Sequence, residues 1–263
     1  MGICKVNELA QFYSGKRVFI TGHTGFKGSW LTQVLVGWGA VVKGFSLMPE
    51  GGNLHFSSLD LESKISHQIG DIINGDELKQ AISDFQPEIV MHLAAQALVR
   101  ESYKDPKTTF NINVMGSLNL LEAVRVCDSA KALVYITSDK CYENVEWVWG
   151  YRETDPMGGF DPYSASKAAA EILFSSYSRS YFCSKENFSC ASARAGNVIG
   201  GGDYAADRII PDCVRAAETS GSVELRNPNA TRPWQHVLEP LSGYLVLGKV
   251  LFEHSLESGS AWN

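Results

Sequence analysis

Gly22, Gly25 and Gly28 stand three residues apart in Gly22-His23-Thr24-Gly25-Phe26-Lys27-Gly28, between the apolar run Arg17–Thr21 and the apolar-periodic segment Phe26–Trp38. No other stretch limits the fold as much. The run reads as a buried strand, and the segment after it as a helix ended by Gly39. Glycines at such a turn let the backbone bend tightly and approach a ligand. The helix start adds unpaired N–H groups and a partial positive charge, so the unit can cradle a pyrophosphate. The cofactor-binding candidates here are Gly22, Thr24, Gly25, Phe26 and Gly28. Their spacing is G-x-x-G-x-x-G, not the G-x-G-x-x-G of the standard dinucleotide fingerprint.

The rest of the chain continues the alternation, which predicts a parallel sheet covered by helices. Strands are expected at Val41–Ser46, Ser66–Ile69, Glu88–Leu93, Ala132–Thr137 and Ser189–Arg194. Helices are expected at Asp76–Phe85 with Asp76 as cap, at Pro106–Cys127, and at Pro162–Cys183 with Asp161 as cap. Beyond Gly196 the pattern loosens. A helix is expected near Arg208–Thr219, a short strand at Val223–Arg226, a helix at Pro240–His254 and the start of a strand at Ala261–Asn263. This divides the chain into a nucleotide-binding unit, 1–195, and a substrate-binding lobe, 196–263.

Composition narrows the function. Of 263 residues, 44% are hydrophobic, enough for a sizeable core. The net charge of −6 argues against a general nucleic-acid or anionic-membrane surface. No apolar run approaches the ~18 residues that span a bilayer. Met1–Gly15 lacks a basic head followed by an apolar stretch, so no signal peptide is read, and Gly2 lacks the downstream Ser or Thr of a myristoylation site. The six cysteines form no C-x-x-C pair and the histidines no H-E-x-x-H, which predicts reduced thiols, no metal and a cytoplasmic protein.

An acid at the end of the second strand would hold an adenine ribose. That segment reads Lys43-Gly44-Phe45-Ser46-Leu47, so the choice between NAD and NADP stays open. Asp71, after the third strand, suits either contact with the adenine amino group or helix capping.

Tyr163-Ser164-Ala165-Ser166-Lys167 puts a phenol and an amine on one helix face. A phenol of pKa ~10 is a poor base at neutral pH, but a neighbouring ammonium favours the phenolate. That base can take a proton from a sugar hydroxyl while hydride leaves the carbon. Ser138-Asp139-Lys140 follows the strand Ala132–Thr137, at the strand end where open α/β sheets bind ligands.

Together these motifs resemble the extended short-chain dehydrogenase/reductase family, and within it the nucleotide-sugar dehydratases. The resemblance is carried by GHTGFKGSWL, HLAAQALVR, TSDKCYEN, EWVWGYRE, GGFDPYSASK, RAGNVIGGGD and RPWQHVLEPLSGY, from Gly22 to Tyr244. It implies a Rossmann α/β fold, a doubly wound parallel sheet with a smaller, truncated C-terminal substrate-binding lobe. It implies NAD as cofactor, CDP-glucose as substrate and a homodimer or homotetramer. The long helices Pro106–Cys127 and Pro162–Cys183 would form the dimer interface, although their apolar faces suit sheet packing equally well. Ser138-Asp139-Lys140 matches dehydratases that act on CDP-glucose, whereas those acting on dTDP-glucose carry Thr-Asp-Glu there.

The catalytic residues implied are Ser138, Asp139, Lys140, Tyr163 and Lys167. Tyr163 would oxidise C4 with the cofactor, Lys140 would take the C5 proton, and Asp139 would protonate the departing 6-hydroxyl. Ala94, Ala95 and Gln96 would run past the middle of the cofactor. Asn197 and Arg232 would touch the nucleotide-sugar, with Arg208 beside them. Arg194 suits either contact or bracing, and His236 either a functional or a structural imidazole. Family members continue past the equivalent of Asn263, so closure of the substrate site is open. Another nucleotide-sugar epimerase or reductase, or a non-catalytic NAD-binding relic, are the alternatives.

Overall fold

The computed structural model describes residues 3–48, 54–219, 221–225 and 227–263. In chain order it runs α1 (Ile3–Tyr13), β1 (Arg17–Thr21), α2 (Phe26–Gly37), β2 (Val41–Ser46), α3 (Leu54–Ser58), β3 (Ser66–Ile69), α4 (Gly75–Phe85) and β4 (Ile89–His92). Then come α5 (Val99–Lys104), α6 (Pro106–Phe110), α7 (Ser117–Arg125), β5 (Ala132–Ile136), α8 (Pro162–Ser180), β6 (Ser189–Ala193) and β7 (Asn197–Ile199). The remainder is α9 (Ile209–Glu218), β8 (Trp234–His236), α10 (Leu238–Phe252) and β9 (Ser260–Trp262).

The main sheet has seven strands in the order β3-β2-β1-β4-β5-β6-β9, all parallel. Successive side chains of a strand point to opposite faces, and both faces are apolar here. Val18, Ile20, Met91 and Val134 pack under α1, α2 and α10, against Leu31, Leu35, Leu241 and Leu245. Phe19, Val90, Leu133 and Tyr135 pack under α4, α7 and α8, against Leu78, Ile82, Leu121 and Phe174. Helices on both faces of a parallel sheet make a doubly wound α/β fold. The strands at 17–21, 41–46 and 66–69 have the expected bounds.

Several expectations need correction. The helix at 106–127 is interrupted: Asn111–Gly116 is a π-helical segment between α6 and α7. The wider turn aims Asn113 inward, where it accepts from the Gln96 amide at 2.9 Å and donates to the Gln96 carbonyl at 3.0 Å. At the same place Gly116 lies against Ile72, with no room for a side chain. The cap of α4 is Asn74, which accepts from the Glu77 amide; Asp76 lies inside the first turn. No strand forms at 223–225, and Arg226 lies outside the described residues. β7 and β8 pair instead in a small two-stranded parallel sheet.

The part of the chain after Gly196 does not stand apart from the sheet. α10 covers one face, and β9 pairs with β6. α1, not read from the sequence, packs on α10, with Phe12 edge-on to Phe252 at 5.3 Å and the Tyr13 hydroxyl donating to the Leu245 carbonyl at 2.8 Å.

Candidate active site

The strand order reverses between β1 and β4, and a crevice opens beyond the carboxyl ends of the strands there. It continues into a cleft of about 1100 Å³.

One wall is the glycine loop. Gly22 has a positive φ of 74°, and a Cβ there would lie 2.8 Å from the Ala94 nitrogen. A Cβ on Gly28 would lie 2.0 Å from the Gly22 carbonyl oxygen. Gly25 caps α2 without any side-chain hydrogen bond. The turn after β4 is fixed by a polar chain: Thr21 Oγ1 accepts from the Leu93 and Ala94 amides at 3.2 Å and bonds His92 Nδ1 at 2.7 Å. His92 Nε2 meets Ser117 Oγ at 3.0 Å. Thr24 is joined to Ser46, hydroxyl to hydroxyl, at 2.8 Å. Asp71 lines the cleft and accepts from the Ile73 amide at 3.0 Å, closing a turn rather than capping α4.

The opposite wall is built by the end of β5 and the start of α8. Ser138 accepts from the Lys140 amide at 3.3 Å and so starts the tight turn Asp139–Cys141. Its hydroxyl donates to Asp139 at 3.1 Å, and Lys140 Nζ lies 3.3 Å from both Asp139 oxygens. Asp161 caps α8, accepting from the Ser164 amide at 2.9 Å, with Pro162 in the first turn. Tyr163 and Lys167 follow one turn apart, both buried and both lining the cleft.

Burial raises the Tyr163 phenol above its usual range; the Ser138 hydroxyl beside it and the Arg208 charge pull it down, while the Asp139 charge pushes it up. Burial, then the Lys27 charge, lowers Lys167 to about 8, and Glu171 opposes this.

Ser138, Asp139, Lys140, Tyr163 and Lys167 therefore share one cleft with Gly22, Thr24, Gly25, Phe26, Gly28, Asp71, Ala94 and Ala95. Asn197, Arg208 and Arg232 line its third side, where Arg208 is paired to Asp203 at 3.0 Å. Gln96 and Arg194 are not on the cleft wall. Gln96 Nε2 donates to Thr109 Oγ1 at 2.9 Å. Arg194 is buried, paired to Glu171 at 2.7 Å and donating to the Tyr142 hydroxyl at 2.7 Å. His236 accepts from the Leu238 amide at 3.3 Å, at the entry to α10.

Sequence reasoning passed over Lys27. It lines the cleft, its Nζ reaches the Tyr244 hydroxyl at 3.4 Å, and burial with the Arg208 charge lowers it to about 8. Its signal was a cation inside the glycine motif itself.

Residues 19–247 match the family model described as GDP-mannose 4,6 dehydratase. The chain belongs to this family. It is 51% identical over 256 residues to a CDP-glucose 4,6-dehydratase of Salmonella typhimurium, covering 96% of this chain and 71% of that one. A GDP-mannose 4,6-dehydratase of Sordaria araneosa, sdnI, is 31% identical over 88% of this chain, which spans 42% of that relative's length. The fold matches that of DesIV, a dTDP-glucose 4,6-dehydratase of Streptomyces venezuelae, crystallised as a double mutant with NAD and DAU bound. The TM-score is 0.81 at 21% identity, over 93% of this chain and 74% of that one. Among the described residues, no cluster of three His, Cys, Asp or Glu side chains could hold a metal, and no helix is long and apolar enough to cross a membrane.

Proposed function

We propose that the chain converts CDP-glucose to CDP-4-keto-6-deoxyglucose with NAD. The observation that carries this reading is the single cleft shared by the Ser138-Asp139-Lys140 turn, the Tyr163–Lys167 pair and the glycine loop, in a chain 51% identical to a CDP-glucose 4,6-dehydratase.

The residues suit a dinucleotide. Gly22 and Gly28 let the loop fold tightly on itself and against Ala94, which brings the start of α2 to the cleft, and α2 begins there without a competing side-chain cap for its free N–H groups. Bound NAD would supply a reversible hydride acceptor, for oxidation at C4 and reduction at C6 of the sugar. Tyr163 removes the proton of the 4-hydroxyl, and Ser138 hydrogen-bonds the same oxygen. Lys167, with its pKa lowered to about 8, is still mostly an ammonium at neutral pH and favours the phenolate.

A ketone at C4 acidifies the C5 proton. Lys140 and Asp139 are in contact at 3.3 Å, so one proton moving from the ammonium to the carboxylate leaves a neutral amine beside a carboxylic acid. The amine takes the C5 proton as the acid protonates the departing 6-hydroxyl, and the original ion pair returns. Proton exchange within this pair is favoured where water is excluded from the site. Asn197, Arg208 and Arg232 supply polar and cationic groups for the diphosphate and sugar.

Assembly as a homodimer or homotetramer belongs to the same reading. It is supported by exposed Phe110, Met115 and Ile172 on the two long helical stretches, and sedimentation tests it. A cytoplasmic location is supported by the free thiols of Cys127, Cys141, Cys183, Cys190 and Cys213.

The deciding experiment is incubation with CDP-glucose and NAD. The expected product is lighter by one water and shows the alkali-developed absorbance of a 4-keto sugar, with dTDP-glucose and GDP-mannose turned over far more slowly. An isomer of unchanged mass would mean epimerisation, and no product would overturn the reading.

A further inference from the structure

Tyr163, Lys167 and Glu171 recur every four residues along α8, so three ionisable side chains share one helix face. Glu171 does not reach the cleft. It lies beneath it, 2% exposed, and its carboxylate accepts three hydrogen bonds. Oε1 accepts from the Thr137 hydroxyl. Oε2 accepts from Ser192 at 2.8 Å and from the Arg194 guanidinium at 2.7 Å.

Those partners sit at two adjacent strand ends. Thr137 directly precedes Ser138, while Ser192 and Arg194 lie at the end of β6, which pairs with β5. Arg194 reaches on to the Tyr142 hydroxyl at 2.7 Å and the Glu153 carbonyl at 3.0 Å. One carboxylate thus joins the helix that carries Tyr163 and Lys167 to the strand end that carries Ser138, Asp139 and Lys140.

We infer that Glu171 is a positioning residue for the dehydration. It fixes the Ser138–Lys140 turn relative to Tyr163, and its charge sustains the ammonium of Lys167. The first half rests on the dehydratase reading; the second concerns Lys167 alone and is read without turnover.

The charged and titratable groups facing Lys167 are Lys27 from α2, His92 from β4, Cys141 from the turn after β5, and Tyr163 and Glu171 from its own helix. His92 is lowered to about 3 and Cys141 raised to about 12, both chiefly by burial, so both are neutral near pH 8. Lys27, itself lowered to about 8, disfavours the Lys167 ammonium, and Glu171 is the negative group that favours it. Facing Glu171 are Arg194, Cys141 and Tyr135.

The test compares the wild-type chain with E171Q, E171D and T137V. Competitive acetylation by acetic anhydride across pH 6–10, read by peptide mass spectrometry, gives the midpoint of Lys167 with or without activity. The expected result is a lower midpoint in E171Q, a wild-type midpoint in E171D, and no shift in T137V, which keeps the charge. In turnover of CDP-glucose, E171Q and T137V should each lose about tenfold or more in kcat with KM little changed, as expected for a displaced reacting group. E171D should recover part of that loss.

An unmoved Lys167 midpoint in E171Q overturns the electrostatic half, and a wild-type kcat in T137V overturns the positioning half. If E171Q does not fold, the double variant E171Q/R194Q, which leaves no buried charge unpaired, replaces it in the acetylation test with the same lowered midpoint expected, and T137V still decides the positioning half. Absence of wild-type turnover would count against the dehydratase reading, and the acetylation profile would still judge the charge of Glu171.

Discussion

The two sides of the cleft that face the substrate are built differently. The wall made by β5 and α8 presents buried groups, Ser138, Tyr163 and Lys167, and is backed by the Glu171–Arg194 ion pair. The side made by residues 197–232 is open. Arg232 is exposed and reaches only as far as the neighbouring Thr231 carbonyl, at 3.5 Å, among the described residues, and Ile209, Ile210 and Val214 are exposed. A side chain held by packing keeps its geometry before substrate arrives, whereas one held by nothing must be ordered by it. The first wall is therefore suited to chemistry and the second to grip, and substitutions should separate into effects on kcat and on KM.

The sharpest test is Y163F. Losing the base should lower kcat about 10³-fold with little change in the KM for CDP-glucose, within the range for general acid–base groups. A large rise in KM would break the contrast. K140A comes next: elimination should fall about 10²-fold while NAD binding, measured by calorimetry, is unchanged. C4 oxidation should survive in that variant, so cofactor reduction should still be seen in single turnover.

On the opposite side, R232A should raise KM about tenfold and leave kcat within about twofold, the cost of one charge-assisted contact to a phosphate. A kcat effect larger than the KM effect would move Arg232 to the chemical wall.

The smallest effect concerns pH and the floor of the glycine loop. His23 and His92 are both lowered to about 3, chiefly by burial, so the folded chain carries them neutral. The unfolded chain protonates them below about pH 6.5 and binds more protons there, so stability falls as the pH drops from about 6.5 toward 3. Tm should decline over that window, and H92N should lose a few degrees at pH 7.5 while flattening the decline. An unchanged slope in H92N would mean the imidazole at 92 is not part of the acid response.

What the sequence made legible is local. The glycine loop, the helical pair at 163 and 167, and the polar turn at 138–140 are each fixed by neighbours within a few residues, so spacing alone exposes them. The π-helical segment at 111–116 was hidden, because the bonds that favour it join Asn113 to Gln96, 17 positions away. Arg194 was open between contact and bracing for the same reason: its partner Glu171 sits 23 residues earlier on another element. α1 was invisible because its apolar face is satisfied by Leu245 and Phe252 at the other end of the chain. No strand forms at 223–225, where alternation is weak and Glu224 and Leu225 are exposed, so little burial rewards regular pairing.

The uniform direction of the sheet has a practical side. All strands finish at one rim, where the chemistry gathers, and start at the other, among turns such as Gly15, Gly39 and Gln86. β1 is five residues long, so the two rims are separated by about 16 Å. A fluorophore or surface tether attached beside Gln86 would hold the molecule by its back and leave its working edge free for ligands to come and go.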